Sequence, residues 1–160
     1  MTDEKKLTIA DFMRPKDVVS TISVNATFEE AARIMIEEKR NGLVVLDDEE
    51  KVTGMLSSLH LIKYIVPDYL EEDKHLAAFE ATDVFAKRVH EIKDDPITQF
   101  MNPDYHAVKA EDSLMEAATL MSEWNTRHLP VVNGDNELVG YITRTDVKRA
   151  IAQILHIKRD

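Results

Sequence analysis

The sequence has no cysteine. Disulfides, thiolate catalysis and cysteine–zinc sites are therefore excluded. It also lacks an excess of basic residues: 20 Lys and Arg stand against 30 Asp and Glu, a formal net charge of −10. That argues against a nucleic acid polymer as partner, because phosphate-backbone binding draws on Lys and Arg that release counterions. It argues equally against docking on anionic lipid. No apolar run approaches the roughly 18–20 residues that a membrane span needs. No apolar signal core follows Met1-Thr2-Asp3-Glu4-Lys5-Lys6, so the cytoplasm is the expected compartment. His60, His75, His90, His106, His128 and His156 form no His-x3-His pair and no His-Glu-x-x-His helix, so no metal site is expected. Ser57 and Ser58 lack a nucleophile-elbow context, and no Ser-His-Asp arrangement can be traced. No catalytic residue is expected.

What the sequence has is a repeat. Residues 27–65 recur at 113–151 without a gap, 86 positions on. Thr27-Phe28-Glu29-Glu30-Ala31-Ala32 answers Ser113-Leu114-Met115-Glu116-Ala117-Ala118. Leu43-Val44-Val45-Leu46 answers Leu129-Pro130-Val131-Val132, and Gly54-Met55-Leu56-Ser57 answers Gly140-Tyr141-Ile142-Thr143. A lead-in is repeated at an offset of 88: Phe12-Met13-Arg14-Pro15 and Phe100-Met101-Asn102-Pro103. One supersecondary unit is used twice. Two packed copies predict a pseudo-two-fold axis with a cleft on either side. With 160 residues and 44% hydrophobic content, the chain can bury a sizeable core.

Each copy reads as β-α-β-β-α. The lead-in is followed by a β-prone segment, Val18–Ile22 or His106–Val108. Thr27 and Ser113 are plausible N-caps, with Glu30 and Glu116 placed to complete capping boxes. Two strands follow in each copy, Leu43–Leu46 with Val52–Leu56, and Leu129–Val132 with Leu138–Ile142. The second pair flanks Asn133-Gly134, a strong hairpin signal. A closing helix is predicted at about Leu59–Val66 and about Thr145–Ile157. The fold class is α+β. The boundaries expected are 1–66 for the first copy with its lead-in, 67–95 for an acidic helical linker, and 96–160 for the second copy. The linker holds nine acidic and four basic residues. Ala78, Ala81, Phe85, Val89 and Ile92 mark one face of a helix predicted across Lys74–Lys93. That face covers the chain's own core or meets a partner.

The two segments that end a strand and start a helix are the candidate sites. Backbone N–H groups are unpaired there, and the helix dipole favours phosphate. In Gly140-Tyr141-Ile142-Thr143-Arg144-Thr145-Asp146, the Thr143 hydroxyl can bond phosphate or ribose, Arg144 adds a cation, and Asp146 can accept both hydroxyls of a ribose. The alternative is that Thr143 or Thr145 caps the helix and Asp146 complements its dipole. Trp124, four residues beyond Leu120, reads as a packing residue rather than a base-stacking platform.

These repeats resemble a tandem pair of cystathionine-β-synthase (CBS) domains, the Bateman module. The resemblance rests on the Met-x-Pro lead-ins, the Glu-Ala-Ala helices, Arg127-His128-Leu129-Pro130-Val131-Val132 and the Gly140–Asp146 motif. It covers about Ile9–Val66 and Ile97–Ile157, with no further domain, as in stand-alone CBS proteins. It implies a regulatory module that is not an enzyme, binds AMP, ADP, ATP or S-adenosylmethionine, and modulates a partner protein yet to be identified. No cofactor is required, and a homodimer is the default. The family motif maps ribose and phosphate contacts onto Thr143 and Asp146, with Ile142 and Arg144 beside them. Contacts from the other copy map onto Lys16, Thr21, Arg40 and Asn41.

The mirror cleft would use Ser57, His60, Thr126, Arg127 and His128. It departs from the family pattern, because His60 stands where the ribose-binding Asp belongs. A neutral imidazole cannot accept two hydroxyls as a carboxylate does. This cleft is expected to be the weaker one and pH-sensitive if His60 titrates. The rival reading for the whole chain is a ligand-free dimerisation or interaction module.

Overall fold

The computed structural model describes residues 7–79 and 82–158. The elements run β1 (Arg14–Pro15), β2 (Thr21–Ser23), α1 (Phe28–Glu37), β3 (Gly42–Leu46), β4 (Val52–Ser57), α2 (Ser58–Ile65) and α3 (Asp68–Glu72). They continue with α4 (Val84–Ile92), α5 (Leu114–Trp124), β5 (His128–Val132), β6 (Leu138–Thr143) and α6 (Arg144–Ile154). The mixed α+β class expected from the repeat is what folds. Among the described residues, no helix is long and apolar enough to cross a membrane.

The chain divides into two compact units. Unit 1 comprises Met1–Val19, Glu49–Val52 and Asp104–Asp160; unit 2 comprises Ser20–Asp48 and Thr53–Pro103. Unit 2 carries a sheet of order β2-β3-β4, with β2 parallel to β3. Its core gathers Ile22, Phe28, Ala31, Met35, Leu43, Val45 and Leu56, joined by Ile92 and Ile97. Unit 1 carries a sheet of order β1-β6-β5. Its core gathers Ile9, Phe12, Val108, Ala117, Met121, Leu129, Val131, Ile142 and Ala150. Alternating strand faces and the helical apolar stripes supply both sets, as burial of apolar surface requires.

Each lead-in is housed with the strands of the other copy. In unit 1, β1 pairs antiparallel with β6, setting Arg14 opposite Tyr141 and Pro15 opposite Gly140. In unit 2, Met55 and Asn102 exchange backbone hydrogen bonds of 3.0 and 2.8 Å. The repeated glycines explain the close approach. A Cβ on Gly140 would lie 2.6 Å from the Arg14 carbonyl oxygen and 3.0 Å from the Met13 sulfur. A Cβ on Gly54 would lie 2.9 Å from the Met101 sulfur and 3.2 Å from the Asn102 carbonyl oxygen. The Met-x-Pro lead-in and the strand glycine are thus two halves of one contact, made once in each unit.

Several local expectations are revised. Thr27 and Ser113 do cap α1 and α5, accepting from the Glu30 and Glu116 N–H groups. The reciprocal boxes that close both ways lie instead at Ser57 and Thr143. The hairpin expected at Asn133-Gly134 forms, with β5 antiparallel to β6; the left-handed turn residues are Glu50 and Asn136, with φ of 63° and 62°. They occupy equivalent repeat positions. Asn133 Oδ1 organises the second turn by accepting from the Asp135 and Glu137 N–H groups. The segment His106–Val108 forms only a bridge between Val108 and Val131. The single helix expected across Lys74–Lys93 is a 3-10 helix at Lys74–Phe79 and a separate α4. Ala81 lies outside the described residues. Ala78 and Phe85 are exposed, and only Val89 and Ile92 reach the unit 2 core. An exposed Ala78 and an exposed Phe85 bury too little apolar surface to hold one long helix.

Gly140→Ala should destabilise the chain by about 1–3 kcal/mol, because a backbone oxygen rather than a flexible side chain must move. Gly134→Ala, with nothing within 4 Å of its added Cβ, should stay within about 0.5 kcal/mol of wild type. Urea denaturation of both variants checks the pair.

Candidate ligand-binding site

β6 delivers Thr143 to the start of α6 with extended backbone (φ −123°, ψ 168°). That geometry lets its side chain turn back onto the helix. Thr143 Oγ1 accepts from the Asp146 N–H at 3.3 Å. Asp146 Oδ2 accepts from the Thr143 N–H at 2.8 Å and from its hydroxyl at 3.0 Å. Asp146 Oδ1 lies 3.4 Å from Arg14 Nε and 3.2 Å from an Arg149 guanidinium nitrogen. Asp146 is only 1% exposed. A carboxylate this deep must be partnered to stay charged at moderate cost, and here four donors fill its roughly four acceptor positions. The capping role weighed for this pair is therefore realised, and it is joined by two arginines that sequence reasoning missed. Arg149 was legible as the residue three places along α6. Arg14 gave no local signal.

Other expected residues of this site divide by unit. Arg144 is committed to the preceding loop, donating to the Thr126 carbonyl and Asn125 Oδ1 at 3.1 Å each. Ile142 is fully buried in the unit 1 core, so its side chain packs and only its backbone can meet a ligand. Lys16 is exposed on a 3-10 turn of unit 1. Thr21, Arg40 and Asn41 belong to unit 2. Thr21 sits in β2 opposite Val44. Arg40 Nε donates to Ser20 Oγ at 3.1 Å, and Ser20 donates on to Glu38. The Asn41 carbonyl accepts from the Ser58 N–H at the start of α2. The repeat is visible here, since the Arg127 carbonyl accepts from the Arg144 N–H in the same way.

The corresponding helix start in unit 2 uses different chemistry. Ser57 caps α2, and His60 Nδ1 accepts from the Ser57 N–H at 3.0 Å. The ring proton therefore sits on Nε2, and Nδ1 has one lone pair, already used. Burial, with Lys63 nearby, lowers the His60 pKa from its ordinary value. Thr126, Arg127 and His128 lie in unit 1. Thr126 Oγ1 donates to the His128 carbonyl, and the His128 ring stacks on Tyr141 at 5.3 Å. Trp124 stacks on His106 at 4.4 Å while remaining half exposed.

Unit 2 also holds an open cavity of about 240 Å³ lined by His60, Lys63, Tyr64, Val66, Asp68, Arg88 and Phe100. Arg88 donates to the Tyr64 and Ile65 carbonyls, closing the C-terminus of α2. The Tyr64 hydroxyl donates to Asp95 at 2.6 Å. Burial first, and then that bond, push its pKa up to about 12, so it stays a donor. Among the described residues, no group of three or more His, Asp or Glu is placed to hold a metal ion.

Known proteins share this fold. A family model described as CBS domain matches residues 9–67 and again 97–153. The chloroplastic CBS domain-containing protein CBSX2 of Arabidopsis thaliana is 28% identical over 92% of the chain and 64% of its own length. CBSX1 of the same plant is 28% identical over 92% of the chain and 65% of its own length. The chain therefore spans a little under two thirds of these relatives. The crystal structure of CBSX2 in complex with AMP superposes with a TM-score of 0.71 at 28% identity, covering 93% of this chain and 98% of that one. The CBS domain pair of protein MJ0100, in complex with 5′-methylthioadenosine and S-adenosylmethionine, shares the fold at 20% identity, with a TM-score of 0.68 over 93% of this chain and 98% of that one.

The lowered His60 pKa makes the stability of the α2 cap depend on pH. Unfolding restores the ordinary value, so the unfolded chain binds the extra proton first. The contribution of this cap should be complete above about pH 6.5 and lost as pH falls below it towards the folded value. Asn at position 60 offers an acceptor that does not titrate. Wild type should therefore lose stability relative to His60→Asn as pH falls from 7 to 5, measured by urea denaturation. A separate variant, Asp146→Ala, should cost about 2 kcal/mol, because it removes the cap bonds and strands two arginines.

Proposed function

This chain belongs to the CBS-domain family, and we propose that it is a regulatory module that holds an adenosyl ligand at the start of α6. Thr143 and Asp146 are its central residues, with Arg144, the Ile142 backbone and Lys16 in the same unit. The observation that carries the reading is the Asp146 carboxylate, kept in place at a helix N-terminus by a closed capping box and two arginines. A carboxylate there can take ribose hydroxyls, and the helix N-terminus favours phosphate. The AMP complex of CBSX2 supports an adenine nucleotide as the first ligand to test. The Ser57 and His60 helix start has no carboxylate, so we assign it no ribose. The module acts on a partner by changing shape when the ligand prefers one of two states. It is a regulator, with no catalytic role.

A homodimer is part of the proposal. Ile36, Leu59 and Ile62 in unit 2, and Met115, Ile151 and Ile154 in unit 1, are large apolar side chains exposed on helices. A second copy of this chain is the partner we assign to them, because identical patches meet across a two-fold axis.

One observation favours a second reading, a ligand-free interaction module. The acceptors of Asp146 are already filled within the chain. Thermal shift separates the two. A ligand held at 100 times its dissociation constant should stabilise the native state by about 2.7 kcal/mol. AMP should raise the melting temperature, and Asp146→Asn should abolish that rise. No shift with millimolar AMP, ADP, ATP or S-adenosylmethionine would leave the ligand-free module standing.

A further inference from the structure

We infer that Arg14 is the displaceable occupant of the Asp146 carboxylate, and that once displaced it selects ligands bearing a phosphate. The inference rests on the adenosyl site proposed above. All four acceptor positions of the carboxylate are occupied. Oδ2 holds the Thr143 N–H and hydroxyl, and Oδ1 holds Arg14 and Arg149. A ribose brings two hydroxyl donors, so two of these four must leave.

The four are not equally held. The Thr143 N–H is fixed by the backbone. Arg149 is fixed twice more: it donates to the Phe12 carbonyl at 2.6 Å and lies over the Phe12 ring at 5.9 Å. Arg14 has the longest of the four contacts, 3.4 Å, made through Nε on a side chain that is 39% exposed. Its release leaves the β1–β6 pairing intact, because that pairing is made by the backbone. The Thr143 hydroxyl is a rotor and can turn without breaking the bond that Oγ1 accepts from the Asp146 N–H. Arg14 leaves Oδ1 and the Thr143 hydroxyl leaves Oδ2, one position for each ribose hydroxyl. Thr143 N–H and Arg149 keep the helix start in place.

The released groups are a guanidinium and a hydroxyl donor, both beside the ribose. A 5′-phosphate takes both, and guanidinium–phosphate bonds are among the stronger charge-assisted ones. Adenosine removes Arg14 from its carboxylate and offers nothing in return. A nucleoside 5′-phosphate restores the lost interaction. Arg14 is therefore a specificity residue, and it lies on the lead-in strand β1, which pairs with β6 in the same unit.

Isothermal titration of AMP and of adenosine against the full chain tests this, with Arg14→Ala and Arg14→Gln as variants and melting curves to confirm their fold. Both variants should bind AMP about tenfold more weakly, the scale of one charged hydrogen bond. Both should bind adenosine at least as tightly as wild type, since an internal competitor is gone. The preference for AMP over adenosine should fall by about tenfold or more. Equal changes for both ligands, or no change, overturn the role of Arg14 while leaving the site. A wild-type chain that binds neither ligand overturns both the site and this inference.

Discussion

A carboxylate sealed from water must have its lone pairs filled, and that requirement organises unit 1. Asp146 is drawn to the start of α6 by the capping box with Thr143. It draws in Arg149 from one turn along the same helix and Arg14 from the lead-in. Arg149 in turn ties to the Phe12 carbonyl, and Phe12 is part of the unit 1 core. One buried charge thus links strand end, helix start, lead-in and core. The glycine at position 140 makes the link possible, because any side chain there would press on the Arg14 backbone.

Unit 2 repeats the scaffold and changes the chemistry. Gly54 accommodates Met101 and the Asn102 backbone as Gly140 accommodates Met13 and Arg14. Ser57 caps α2 as Thr143 caps α6. His60 then replaces a four-acceptor carboxylate with a ring nitrogen that accepts once, from Ser57. Nothing in that exchange attracts an arginine. The fold tolerates it because the cap bond survives. The two copies share the shape-making contacts and differ in the charge at the helix start.

Much of this was legible in the sequence, for reasons tied to particular residues. The repeat located α1 and α5 through Thr27 and Ser113, and β3 to β6 through their apolar runs, because periodicity and capping are local signals. The Thr143 and Asp146 capping pair was legible because strand end, hydroxyl and carboxylate are neighbours in sequence. What escaped was non-local or weakly driven. Arg14 lies 132 positions from Asp146, and the exchange of lead-ins has no signature within either copy. The linker was overread because Ala78 and Phe85 fit a helical spacing yet remain exposed. Asn133-Gly134 marked the β5–β6 hairpin, which forms, with its left-handed residue at Asn136.

If the buried, arginine-held carboxylate of Asp146 is the adenosyl site, a crystal structure of the chain grown with AMP will show ribose hydroxyls on Asp146, Arg149 still in place, and the Arg14 guanidinium moved from Oδ1 to the phosphate. AMP bound elsewhere, with all four donors still on Asp146, would rule the site out.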